Sequence, residues 1–143
     1  MEITRQVTTA KHVDRVFDYL GDFTTTTDWD PGTVVTTLEA GDGGVNTRYR
    51  NVSRFLGRQT ELTYVVEGFE PGRMVRLRGE NASVVAVDTM TFAPTPSGGT
   101  TVTYSARFSF KGVTRLAAPM LAPAFRRLGN EAERGLQQAL DRL

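Results

Sequence analysis

A chain of 143 residues, 39% of them hydrophobic and 23% charged, is long enough for one buried core and too apolar for disorder. Its net charge of +1 gives no electrostatic reason to expect nucleic acid or an anionic membrane as a partner. The absence of cysteine removes disulfides, thiolate nucleophiles and cysteine-ligated metals.

Met1 to Arg5 lacks the apolar run of a secretory signal, and no segment reaches the ~18 uninterrupted apolar residues of a spanning helix. A single domain over residues 1–143, cytoplasmic and without a transmembrane segment, is the expectation. Residues 2–9, rich in β-branched types, predict a first strand. From Ala10 the period changes: Val13, Val16, Phe17 and Leu20 form a helical face that Gly21 stops. Asp22 can cap a second short helix ending near Trp29, and Asp30-Pro31-Gly32 is a turn. Six strands follow, over 33–39, 47–55, 59–69, 73–80, 84–92 and 101–110, separated by glycine- and proline-bearing turns that predict an antiparallel meander. The closing segment, Thr114 to Leu143, carries Leu121, Phe125, Leu128, Ala132, Leu136, Ala139 and Leu143 on one helical stripe. Pro119 and Pro123 cannot both lie inside a straight helix. Either a short segment stops near Ala122 and Pro123 opens the main helix, or one helix kinks there. The order strand, helices, six strands, helix is an α+β domain.

Several stretches in this order resemble the START-like superfamily, in its polyketide cyclase/dehydrase and lipid-transport branch. They are Val13 to Leu20, Trp29-Asp30-Pro31-Gly32, Gly57-Arg58, Phe69-Glu70-Pro71-Gly72-Arg73, Asp88 to Phe92 and Gly98 to Tyr104, closed by the amphipathic helix. The similarity runs over essentially the whole chain. It implies a helix-grip fold: a curved seven-stranded antiparallel sheet around a long C-terminal helix, with two short helices between strands one and two. It also implies a cavity between sheet and helix. Such proteins hold lipids, sterols, hormones or polyketide intermediates there, and a minority catalyse cyclisation or dehydration. Fold does not by itself fix function.

Little in the sequence offers catalytic machinery. His12, the one histidine, reads as an exposed helix-start residue, and no cluster with metal-ligand spacing is visible. No serine stands in a Gly-x-Ser-x-Gly elbow, and Gly41 to Gly44 lacks the residues of a phosphate loop. Neither a metal nor a cofactor is expected. Strand alternation instead nominates cavity-facing positions. Tyr49, Asn51 and Ser53 share a face of the third strand. Tyr64, with Leu62 and Val66, is taken as inward on the fourth, Leu77 on the fifth, Asp88 and Met90 on the sixth, Tyr104 and Phe108 on the seventh. The first half of the helical stripe contributes Met120, Leu121, Phe125 and Leu128. A few polar groups on an apolar concave wall suit a small-molecule site. Asp88 and Tyr104 are the catalytic candidates, as acid and base on an enolisable ketone. Against this, a strand-end aspartate in water and space-filling tyrosines explain the same residues. Seven arginines between Arg48 and Glu80 read as a solvated outer sheet face, since no aromatics interleave with them. Trp29 reads as a plug beneath the helical turn. The expected partner is a hydrophobic small molecule (lipid, polyketide or isoprenoid-like), bound by a monomer or homodimer that is not a nucleic-acid binder. The alternative is a cyclase, aromatase or dehydrase acting on a ligand in the same cavity.

Overall fold

The computed structural model describes Met1–Leu143. Strand β1 (Glu2–Thr9) leads into α1 (Val13–Leu20), then a single 3-10 turn (Phe23–Thr25) that continues as α2 (Thr26–Trp29). Strands β2 (Thr33–Ala40), β3 (Arg48–Phe55), β4 (Arg58–Glu70), β5 (Met74–Glu80), β6 (Val84–Pro94) and β7 (Thr100–Phe110) follow. The chain ends with α3 (Thr114–Ala117), a 3-10 turn (Ala118–Leu121) and α4 (Ala122–Asp141).

Side-chain chemistry explains the helical starts. His12 Nδ1 accepts from the amide of Asp14 at 3.2 Å, and Asp22 Oδ1 accepts from that of Thr24 at 3.0 Å, so each side chain satisfies an otherwise unpaired first-turn donor. Pro123 sits in the first turn of α4, where its missing N–H costs nothing. Of the two arrangements open for the prolines, the chain adopts separate segments.

All seven strands form one antiparallel sheet in the order β1-β7-β6-β5-β4-β3-β2, and α4 closes its concave side in a helix-grip fold. The alternation of β4 puts Leu62, Tyr64 and Val66 inward, all three buried. A register shift between Val66 and Gly68 then breaks the period. Phe69, expected on the opposite face from Val66, accordingly joins the core edge-on to Phe17 at 5.3 Å. On the outer face Arg50 pairs with Glu61 and Arg76 with Glu67. These exposed pairs each contribute less than about 1 kcal/mol.

The second half of α4 buries Ala132, Leu136, Ala139 and Leu140 against the core. Its approach is close enough to require glycine: a Cβ at Gly135 would stand 1.9 Å from the Trp29 carbonyl oxygen. The same helix is tied to β1, where the Arg5 guanidinium donates to Asn130 Oδ1 at 2.9 and 3.1 Å and Gln137 donates to the Thr8 carbonyl at 3.0 Å. Gln137 and the buried apolar residues pin its rear half, and Phe125, Leu128 and Gly129 ahead of them line a space left against the sheet.

Candidate functional site

Between the front half of α4 and the sheet lies a cavity of about 470 Å³. Its outer part is aromatic. Phe125 of α4 stacks on Phe55 at 4.6 Å and contacts Phe108 and Phe110 at 4.7 and 5.7 Å. The rim carries Arg54, Leu56, Arg58, Thr114, Ala117 and Leu121. Leu56 and Gly57 make the two-residue β3–β4 turn with φ of 52° and 77°. Leucine rarely adopts that left-handed conformation, and here its side chain is largely exposed at the opening.

The inner part is polar. Tyr104 on β7 donates to Asp88 Oδ2 on β6 at 3.2 Å, and both side chains are buried. They sit on neighbouring strands, where Asp88 pairs with Ala106 and Tyr104 with Met90. Tyr64 lies flat across β5. It is the register partner of Gly79, at which a Cβ would come within 2.6 Å of the ring. Phe23 covers it at 4.8 Å. Tyr64 lines this cavity, and no side-chain hydrogen bond holds its hydroxyl. Asp30, at the end of α2, completes the inner wall. Its two oxygens accept from the Gly32 amide and the Thr33 hydroxyl, each at 3.0 Å.

Burial shapes the electrostatics of this group. Loss of water pushes the Asp88 carboxyl up to about 7; the nearby Asp30 charge adds to the shift, and the Tyr104 hydrogen bond opposes it. Asp30 is raised by the same desolvation, partly countered by its bonds from Gly32 and Thr33. The Tyr64 and Tyr104 phenols are held well above their ordinary value, first by burial and then by the two carboxylates. Both tyrosines are therefore hydrogen-bond donors at any physiological pH. To one side, Thr26, Thr36, Asn51 and Ser53 form a closed chain: Asn51 Nδ2 donates to Thr36 Oγ1 at 2.8 Å, and Ser53 donates to Asn51 Oδ1 at 2.6 Å.

A family model described as polyketide cyclase/dehydrase and lipid transport matches residues 1–143. The chain belongs to that family. Its fold is similar to that of the ZhuI aromatase/cyclase from Streptomyces sp. R1128, with a TM-score of 0.82, 15% identity, and 98% of this chain and 93% of that one covered. It is likewise similar to a START superfamily protein from Mycobacterium smegmatis, at 0.80 and 11% identity over 97% and 96% of the two chains. The di-domain aromatase/cyclase StfQ from the steffimycin biosynthetic pathway aligns at 0.70 and 14% identity, over 96% of this chain and 49% of that one. At these identities the likeness concerns fold alone. No curated protein matches the sequence.

In this member of the polyketide cyclase/dehydrase and lipid transport family, the cavity wall includes Asn51, Ser53, Tyr64, Asp88, Tyr104, Phe108, Leu121, Phe125 and Leu128. Four nominated positions lie elsewhere. Tyr49 shares a face with Asn51 but packs on Phe23 at 5.8 Å and is sealed into the core. Leu77 and Met90 point inward yet are completely covered, as members of the core that also holds Val16, Phe17 and Leu20. Met120 is 82% exposed, because it lies one residue off the Leu121, Phe125 and Leu128 face that lines the cavity. Trp29 is buried edge-on to Tyr104 at 5.5 Å, a core position beneath α4. Sequence reasoning missed Asp30, which it read only as a turn residue, and Phe23 as wall, whereas Phe55 and Phe110 line the cavity from the faces that alternation turned inward. An aspartate two residues before glycine signals an Asx-turn; nothing local shows that the same carboxylate borders a cavity. No group of three or more His, Cys, Asp or Glu is placed to hold a metal ion, and no helix is long and apolar enough to cross a membrane.

Proposed function

We propose that the protein binds a hydrophobic small molecule of lipid, polyketide or isoprenoid-like character between the sheet and the front half of α4. One observation carries this reading: a roughly 470 Å³ space walled mostly by aromatic and aliphatic side chains, with a few buried polar groups gathered at one end. That is the anatomy of a small-molecule site, in which apolar area supplies affinity and placed polar groups supply orientation. Native mass spectrometry of protein purified without added ligand tests it. A co-purifying apolar species supports the reading. Ligand-free protein that also fails to take up a neutral apolar fluorophore refutes it.

A second reading, catalysis on the bound molecule, is favoured by the Asp88–Tyr104 contact and the free Tyr64 hydroxyl beside it. A carboxylate raised to about 7 is a competent base near neutral pH. With the α-carbon of a ketone against Asp88, its proton passes to the carboxylate oxygen and the electron pair moves to the carbonyl oxygen as an enolate. A phenol such as that of Tyr64 stabilises that oxygen by donation. The enolate carbon can then attack a second carbonyl of the same chain, whose π electrons move to its oxygen and take back the proton held by Asp88, which is the ring closure of a cyclase. Exchange of α-protons of a bound diketone into deuterated solvent, lost in Asp88→Asn, is the expected signature; equal exchange in both proteins excludes it.

A further inference from the structure

The two ends of the cavity carry opposite charge. At the inner end stand Asp30 and Asp88, close enough that each carboxylate raises the proton affinity of its neighbours, with no basic side chain among the inner-wall residues. At the rim stand Arg54 and Arg58, both exposed and neither in an ion pair. Most other arginines of the strands are matched: Arg5 to Glu133, Arg50 to Glu61, Arg76 to Glu67, Arg78 to Glu80 and Arg107 to Glu2. The cations left without a partner thus include the two that border the opening.

Hydrogen-bonding capacity is distributed in the same sense. Asp88 uses one oxygen to accept from Tyr104, which leaves the other free to accept. The Asp30 oxygens each accept one bond and retain a second lone pair. Asn51 and Ser53, by contrast, spend their polar atoms on each other and on Thr36. The inner end therefore offers carboxylate acceptors and the Tyr64 hydroxyl, while the one buried side-chain donor left without a partner, the Trp29 indole N–H, lies in the core beside Tyr104.

We propose that the cavity is polarised and seats its ligand in one direction, with a hydrogen-bond-donating group against Asp30, Asp88 and Tyr64 and an anionic group against Arg54 and Arg58. This rests on the binding reading above and narrows its ligand class. The ligand is a molecule with an apolar, largely aromatic-compatible body, a hydroxyl or ammonium at its buried end, and a carboxylate or similar anion at its outer end. A simple fatty acid cannot enter head first, since its carboxylate would meet two acidic groups in a desolvated site. Tyr64 can either accept from the buried hydroxyl or donate to it, which favours hydroxyl over ammonium.

Four rigid probes separate the contributions: naphthalene, 2-naphthol, 2-naphthoic acid and 6-hydroxy-2-naphthoic acid, titrated by calorimetry at pH 8. The doubly substituted probe is expected to bind about tenfold more tightly than 2-naphthoic acid, the worth of one hydrogen bond to a charged group. The Asp30→Asn, Asp88→Asn double variant should bring those two probes within about twofold of each other. The Arg54→Ala, Arg58→Ala variant should weaken both acids about fivefold and leave 2-naphthol unchanged, as expected for partly exposed charge contacts. If the acidic double variant does not fold, Tyr64→Phe with Asp88→Asn replaces it, with the same expectation. Naphthalene binding with no gain from the hydroxyl, or a gain that survives loss of the carboxylates, overturns the polarity alone. So does an arginine variant that weakens 2-naphthol as much as the acids. Failure of naphthalene itself to bind overturns the binding reading and the polarity with it.

Discussion

Replacing Asp88 by asparagine should make the fold more stable, and by an amount that depends on pH. The native carboxyl holds its proton up to about pH 7, against an ordinary value of 3.8. Between these limits the folded chain binds a proton that the unfolded chain has released, so Asp88 costs nothing below the lower limit. Its cost grows as pH rises through the window and is complete above about pH 7. At about 1.4 kcal/mol per pH unit, the gap corresponds to roughly 4 kcal/mol at pH 8. Asparagine carries no charge and its amide oxygen can still accept from Tyr104. Urea unfolding at a series of pH values from 4 to 9 reads the difference. The variant should match the parent near pH 4 and exceed it by up to about 4 kcal/mol at pH 8. Glu61 and Glu80, held below the ordinary carboxylate value by hydrogen bonds from Arg50 and Lys111, act in the opposite sense. They are common to both proteins and cancel in the difference. A difference that stays flat across the range would show that Asp88 is not desolvated in the fold. Because Asp30 contributes to the Asp88 shift, adding Asp30→Asn to Asp88→Asn should yield less than it does in the parent.

Leu121→Trp should fill the cavity and reduce uptake of an apolar fluorophore at least about tenfold with under about 1 kcal/mol change in stability. Leu136→Ala, in the pinned half of α4, should instead cost about 2–5 kcal/mol and leave uptake intact; the reverse pattern would mean that the two halves of the helix have been assigned the wrong roles. Leu56→Asn converts the strained β3–β4 turn to Asn-Gly and should add about 1 kcal/mol in thermal unfolding, so an unchanged midpoint would argue against strain at that residue. Gly79→Ala drives a methyl into the Tyr64 ring and should cost about 1–3 kcal/mol. Near-UV circular dichroism should show the ring displaced, and an unperturbed spectrum would contradict the packing.

The architecture was legible because two periodicities and a set of turn residues agree along the chain. Alternation on β3, β6 and β7 correctly turned Asn51, Asp88 and Tyr104 to the concave side, and the inward assignment of Leu62 and Tyr64 holds although both faces of that strand are apolar. Alternation yields a face but not a depth. Leu77 and Asp88 are register partners on adjacent strands, and only Asp88 borders the cavity. What separates them is the tilt and curvature of the sheet beneath the helices, which residue spacing does not encode. Met120 fails for a different reason: it lies one residue off the stripe of Leu121, Phe125 and Leu128, so it faces solvent while Leu121 lines the cavity. Phe69 was misplaced by a single bulge. Asp30 was hidden because its backbone role in a turn accounts for it fully on local grounds.

The position of β1 has a consequence for how this chain acquires its structure. Five of the six strand pairings join consecutive strands, and each can close as a local hairpin. The sixth pairs β1 with β7, matching Ile3 to Ala106 and Thr9 to Thr100. During synthesis β1 emerges long before its partner, and it carries β-branched side chains and a free edge throughout that interval. Closing that loop costs more chain entropy than closing any of the five hairpins before its contacts repay it. Helix α4 packs on β1 as well, through Arg5 and Gln137. Ile3 brings β1 into the cavity wall, so that wall is complete only once the first and last strands have paired.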